Sequence, residues 1–191
     1  MSVFETYFQL GWDHILDPAG FDHMLFIVTL CAMYSWRNGW RLILLATAFT
    51  IGHSLTLALS ALGWVNVSAD LIETIIPITI LATAIYNLFQ AGGETNSTLA
   101  WHYTLALGFG LVHGLGFSNF FRALHPESDG IVYELFSFNI GIEAGQILIV
   151  LLFVALYFVL DKVFFIRRRD WTIFWSGLGA GMSFFMTIGW I

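Results

Sequence analysis

The residues of this chain with the most chemical capacity stand where the sequence is otherwise apolar. Asp22 and His23 sit inside Phe21-Asp22-His23-Met24-Leu25-Phe26, and His53 inside Thr50-Ile51-Gly52-His53-Ser54-Leu55-Thr56. His113 lies within Leu111-Val112-His113-Gly114-Leu115-Gly116-Phe117, and Glu143 within Phe138-Asn139-Ile140-Gly141-Ile142-Glu143-Ala144-Gly145-Gln146. Glu73 follows Ile72. No Lys or Arg falls deep in these stretches, so no basic side chain offers the acids a counter-charge. Either the carboxyls are protonated or a cation neutralises them. With three imidazoles alongside, a divalent metal is the economical cation. A His and carboxylate set suits zinc, nickel or cobalt better than calcium or magnesium, which prefer all-oxygen shells.

The elements that must position these groups are long apolar runs. The 191 residues are 58% hydrophobic and 17% aromatic but only 10% charged, against about a quarter charged in a soluble domain. That balance excludes a soluble enzyme and a disordered chain. Seven basic residues and a net charge of -6 leave no footprint for nucleic acid. The single cysteine, Cys31, forms no internal disulfide. Runs of about 20 apolar residues fit membrane-spanning helices. Six are expected, over 20–36, 41–62, 69–90, 100–121, 131–160 and 172–191. The fifth is the longest and is expected to tilt or project. Continuous runs, rather than alternating ten-residue strands, exclude an outer-membrane barrel. The expected fold is therefore all-α, a single polytopic bundle over 1–191.

Basic residues set the expected orientation. Arg37 and Arg41 bracket the first loop, while Lys162, Arg167, Arg168 and Arg169 fill the fifth. Four spans separate these loops, so both fall on one side, and basic loops face the cytoplasm. Both termini then face outward, and the neutral 92–98 loop is cytoplasmic by parity. The stretch from Met1 to Ala19 has no basic residue and is not expected to be a signal peptide. It is expected on the outer surface or folded back over the bundle.

Depth follows from about 1.5 Å of rise per residue. His53 is twelve residues past Arg41, and His113 thirteen past Ala100, which places both about 18–20 Å from the inner side. Glu143 is twelve residues past Ile131, again near the middle, whereas Asp22, His23 and Glu73 lie at or near outer ends. One shared site between midplane and outer face is the natural reading, since an ionisable residue in hydrocarbon costs about 2.5–3.5 kcal/mol and needs a reason. Plainer roles compete. A lone His in a span can simply bond a neighbouring helix, Ser54 and Thr56 can bond back to their own helix, and Asn139 and Gln146 can tie helices together. Asp22 could cap its helix. His14 could fold back over Asp22 and His23. His102 and His125 are expected at the interfaces in water, and the eight Trp and many Phe facing lipid. Glycines four apart, Gly110 with Gly114, Gly141 with Gly145 and Gly177 with Gly181, are expected at close helix contacts.

Taken with Gly11-Trp12-Asp13-His14-Ile15-Leu16, Ile72-Glu73-Thr74-Ile75 and the stretch Phe49 to Leu57, these blocks resemble the HupE/UreJ family in order and content over residues 11–146. The family comprises hydrogenase and urease accessory membrane proteins regarded as nickel or cobalt permeases. The resemblance implies uptake of a divalent transition metal, with His14, Asp22, His23 and His113 matching the family's metal-handling motifs. It departs in two places. Seven residues separate His14 from Asp22 where the family commonly has five, with Asp17-Pro18 inserted, and Phe117 and Ser118 stand where some members carry a Glu.

The leading expectation is a secondary permease in a bacterial inner membrane. Asp22, His23 and His14 would recruit the ion and pass it to His53, His113 and Glu143, with Glu73 at the rim. Partners would be membrane lipid, the metal ion, metallochaperones or metalloenzyme maturation proteins, and further copies of the chain. One alternative is an intramembrane zinc hydrolase, with the histidines holding zinc, Asp22 or Glu143 as base and Ser54 assisting. Another is a structural metal site that only ties helices together.

Overall fold

The computed structural model describes residues 2–91, 99–124 and 131–189, with 99–101 and 118–124 described by backbone alone. The described chain is helical, without a strand. Seven helices follow in order: α1 (Val3–Leu16), α2 (Asp22–Cys31), α3 (Gly39–Ala61), α4 (Ala69–Gln90), α5 (Leu99–Leu124), α6 (Ile131–Phe164) and α7 (Arg168–Thr187). Short 3₁₀ turns at Pro18–Gly20 and Trp36–Asn38 flank α2. The 92–98 loop, His125 and the loop after it lie outside the described residues.

Among the described residues, three stretches are long and apolar enough to cross a membrane: Trp36–Ala61, Ala69–Gln90 and Ile131–Phe164. The spans expected over 20–36, 100–121 and 172–191 are not among them. In place of a helix over 20–36, α2 has ten residues, a length of about 15 Å against a hydrocarbon core of about 30 Å. Seven of the ten are buried. Apolar residues all round a short helix describe a helix packed inside protein as well as one in lipid. Here they describe the former, because α4, α6 and α7 surround α2. Its first turn, with Asp22 and His23, consequently ends within the bundle.

Glycines set the helix spacing around that point. A Cβ at Gly52 of α3 would lie 2.2 Å from the Leu107 carbonyl oxygen of α5, and one at Gly110 would lie 2.1 Å from that of Phe49. A Cβ at Gly114 would lie 2.3 Å from the His53 carbonyl oxygen. The α3 and α5 backbones therefore touch at the level of His53 and His113. Likewise α1 docks on α6, where Gly11 meets the Phe138 carbonyl and Gly141 meets that of Phe8 at 2.0 and 2.1 Å from the would-be Cβ atoms. The N-terminal segment is thus folded back onto the bundle. The third glycine pair behaves differently, since nothing lies within 4 Å of a Cβ at Gly177 or Gly181.

Polar side chains fix α2 from below. Asn87 Nδ2 of α4 donates to the Thr29 carbonyl at 2.7 Å, and Thr172 Oγ1 of α7 donates to the Ala32 carbonyl at 2.8 Å. Both serve the last turn of the helix, where carbonyls run short of intrahelical partners; the Thr29 carbonyl also accepts from the Ala32 N–H at 3.3 Å. Trp36 Nε1 donates to Asp161 near the end of α6 at 3.0 Å, so α3 and α6 run antiparallel.

Candidate metal centre

Four elements bring five of the expected residues together. His14 comes from the last turn of α1, Asp22 and His23 from the first turn of α2, His53 from α3 and His113 from α5. Their donor atoms form two overlapping groups, His14 with His23 and His53, and Asp22 with His23 and His113. Within each group the atoms lie within 4.8 Å of one another. Ligands at about 2.0–2.1 Å from an ion stand at most about 4.2 Å apart, so closure on a metal needs only a small adjustment. His23 belongs to both groups. Its ring centroid is 4.6 Å from that of His14, 6.3 Å from His53 and 5.1 Å from His113.

Burial gives the cluster its meaning. His23, His53 and His113 are 6%, 0% and 1% exposed. His14 Nε2, His23 Nε2 and both ring nitrogens of His53 and His113 are buried with no hydrogen-bond partner among the described residues. A buried polar atom left unpaired costs about 1–3 kcal/mol, and a bound cation would satisfy one nitrogen of each of the four rings. His23 Nδ1 is the exception, 3.2 Å from Asp22 Oδ1. A carboxylate holding one imidazole nitrogen while the other faces the metal is the usual way a histidine ligand is oriented. Asp22 also stands in the first turn of α2, where the helix dipole favours negative charge. It makes no side-chain cap there.

The longer interval between His14 and Asp22 is absorbed locally. Asp17 Oδ1 accepts from the Ala19 N–H at 2.9 Å, capping the Pro18–Gly20 turn, and this turn brings the His14 and His23 rings together despite the inserted residues. Many of the aromatics are exposed, Trp40, Trp64, Phe89 and Phe174 among them, but the rings around the cluster are buried. Phe26, Phe49 and Phe138 are 0%, 1% and 0% exposed. Phe117 lies 4.1 Å from His14 and stacks on Phe138 at 4.9 Å, walling one side. Phe26 and Phe49, 5.1 Å apart, lie 5.3 and 5.2 Å from His113, and Phe109 stands edge-on to Phe26 at 5.5 Å. These three rings floor the cluster. On the opposite side opens a cavity of about 500 Å³ lined by Asp13, His14, Asp17, Pro18 and Phe117 among others.

The remaining expected residues lie outside both groups. Glu143 Oε1 accepts from Thr47 Oγ1 at 2.6 Å, and Glu73 is exposed on α4. Ser54 Oγ donates to the Thr50 carbonyl at 2.6 Å and Thr56 Oγ1 to that of Gly52 at 3.2 Å, so both bond back to α3. Gln146 Oε1 accepts from Thr50 Oγ1 at 2.8 Å, tying α6 to α3. Asn139 bonds within α6, to the Leu135 carbonyl. His102 is buried, 6% exposed, rather than solvated. Sequence reasoning missed Asp13 and Asp17 as residues of the mouth. Their adjacency to His14 was the available signal, and an open acidic rim beside a buried donor set is what a cation would meet first.

A family model described as HupE / UreJ protein matches residues 1–190, essentially the whole chain. No curated protein and no solved structure matches it. The blocks that form the cluster are those that carry the resemblance, and the match extends beyond them to both ends of the sequence; the chain belongs to the HupE/UreJ family.

Proposed function

We propose that this protein is a secondary permease for a divalent transition metal, nickel or cobalt, in a bacterial inner membrane. The observation that carries the reading is the convergence of His14, Asp22, His23, His53 and His113 with six buried ring nitrogens unpaired. Family membership supports a nickel- or cobalt-handling role beside hydrogenase or urease maturation, with metallochaperones or maturation proteins receiving the ion. In this reading the ion enters through the cavity lined by Asp13 and Asp17, exchanges its water for imidazoles, and is held by His23 oriented by Asp22. A mixed imidazole and carboxylate set binds without the permanence of a thiolate cage, which transport requires. A membrane potential contributes about 2.3 kcal/mol per charge per 100 mV, which draws a divalent cation inward. The reading keeps outward termini and six crossings, the first made by α1 and the short α2 in succession, with the histidine cluster where the two meet.

The test is uptake of Ni²⁺ or Co²⁺ by vesicles bearing the purified protein. Uptake should be abolished by His113→Ala, with helix content unchanged. Absence of uptake by the unaltered protein, together with tight stoichiometric zinc and hydrolysis of an amide or ester, would overturn the permease in favour of an intramembrane hydrolase.

A further inference from the structure

Far from the histidine cluster, α6 and α7 hold a groove open between them. It has a volume of about 430 Å³ and is lined by Leu160, Ile166, Asp170, Trp171, Phe174 and Trp175. Leu160 follows Phe138 by 22 residues on α6, about 33 Å along the axis, so the groove lies at the opposite end of the bundle from the cluster. Beside it the two helices meet through rings. Tyr157 stacks on Trp171 at 4.8 Å, and Phe153 lies 4.8 Å from Trp171 and 5.2 Å from Trp175. Phe164, Phe165 and Phe174 are exposed at the same level. Such a lining suits a hydrocarbon chain.

The rim of the groove is cationic, and its wall carries unmet donors. Lys162, Arg167, Arg168 and Arg169 are four of the chain's seven basic residues, and all four are exposed. The two acids among them are engaged. Asp161 accepts from Trp36 Nε1 at 3.0 Å, and Asp170 accepts from Arg167 Nε and Nη2 at 2.9 and 3.3 Å. A surplus of positive charge remains. The N-terminus of α7 lies here without a side-chain cap, and the N–H groups of a first helical turn, with the helix dipole behind them, favour an anion. Trp171 is 3% exposed, and its Nε1 has no hydrogen-bond partner among the described residues; the same holds for Trp175 Nε1. An indole N–H can only donate, so each of these two lining rings calls for an acceptor that hydrocarbon alone does not supply.

We propose that this groove is a binding site for one anionic glycerophospholipid. An acyl chain lies along Leu160, Phe174 and Trp175, an ester carbonyl accepts from the Trp171 indole, and the phosphate sits at the α7 N-terminus beside Arg167 and Arg168. A free phosphate would meet the cations but leave the groove and the indoles unfilled. A zwitterionic lipid would fill the groove but bring its own cation to the arginines. The bound lipid wedges α7 against α6, and the site stands independently of the permease reading.

The experiment uses the full chain purified in a nonionic detergent. Native mass spectrometry with dioleoylphosphatidylglycerol should show one retained lipid per chain, and the lipid should raise the melting temperature by several degrees. Dioleoylphosphatidylcholine should bind at least tenfold more weakly, and inorganic phosphate alone should leave the melting temperature unchanged. Arg168→Gln should weaken retention about fivefold, the loss expected for one basic residue at an anionic lipid surface. Trp171→Phe, which keeps the ring and deletes the donor, should weaken it about tenfold. Ile166→Trp, which fills the groove without removing a charge, should abolish it, with helix content unchanged in all three variants. Equal retention of the two lipids, or full retention by the three variants, would overturn the site. Protection by inorganic phosphate equal to that by the lipid would make it a bare anion site, and a chain that dimerises without retaining lipid would give the groove to a second copy; either result overturns the proposal.

Discussion

The two faces of the histidine cluster are built from opposite chemistry. Toward the α1–α2 turn, Asp13, His14 and Asp17 line an open cavity in which water and cations can move. Toward the middle of the bundle, Phe26, Phe49 and Phe109 close the path with rings about 5 Å apart. In the permease reading, the difference means that this conformation would admit an ion from one side only. An acidic rim raises the local cation concentration, whereas an aromatic floor offers no donor atom and excludes the hydration shell. In that reading, passage would require the floor to open while the mouth is closed or empty, and α2, short and buried, is the element between the two.

The comparison can be broken most severely at its shared residue. His23 belongs to both donor groups, so His23→Ala should weaken Co²⁺ binding by well over the 10–100-fold typical of outer-shell changes, read by titration calorimetry. His53→Ala, which touches one group, should cost less. Equal losses would show that the two groups are not joined through His23. Next in size is Gly114→Val, which forces the α3 and α5 backbones apart. Overpacking of this kind costs about 1–3 kcal/mol, visible as a lower melting temperature, with Gly181→Val as the unaffected control because its face is open.

A change in the floor should be smaller in stability but specific in transport. Phe49→Leu keeps an apolar side chain while thinning the ring layer, so Co²⁺ leakage from loaded vesicles should rise several-fold with cluster affinity within about twofold. Unchanged leakage would mean that the rings do not seal the path. The smallest effect belongs to the mouth. Asp13→Asn should raise the half-saturating Co²⁺ concentration in uptake about two- to threefold at low salt, and the difference should vanish at high salt as screening shortens the reach of exposed charges. A salt-independent change would instead make Asp13 a direct ligand.

Much of the site could be read along the chain, because an imidazole or carboxylate in an apolar run has few reasons to be there. Asp22, His23, His53 and His113 were visible on that ground, His14 through the family resemblance and its place shortly before Asp22, and the five meet. Glu143 satisfied the same criterion and nevertheless pairs with Thr47. Spacing along the chain sets a residue's position along its helix, but which way a helix turns its side chains depends on its neighbours. Glu73 is placed by the same rule, on an exposed face of α4. The glycine pairs at Gly110 and Gly141 were readable as contact points, while their partners, the Phe49 and Phe8 carbonyls, were not. His102 was misplaced at a solvated interface because residue type near a helix end carries no record of the tyrosines packed over it.

The sequence by itself determined the helical class and the metal-compatible donors, since both follow from local composition: hydrocarbon tolerates continuous apolar helices and penalises unexplained ionisable groups. Only the tertiary structure decided that the first apolar run is a short buried helix, that its first turn meets α1, α3 and α5, and that one side of the meeting point is open and the other sealed. Those outcomes depend on which surfaces pack against which, and packing is settled between segments far apart in the chain rather than within any one of them.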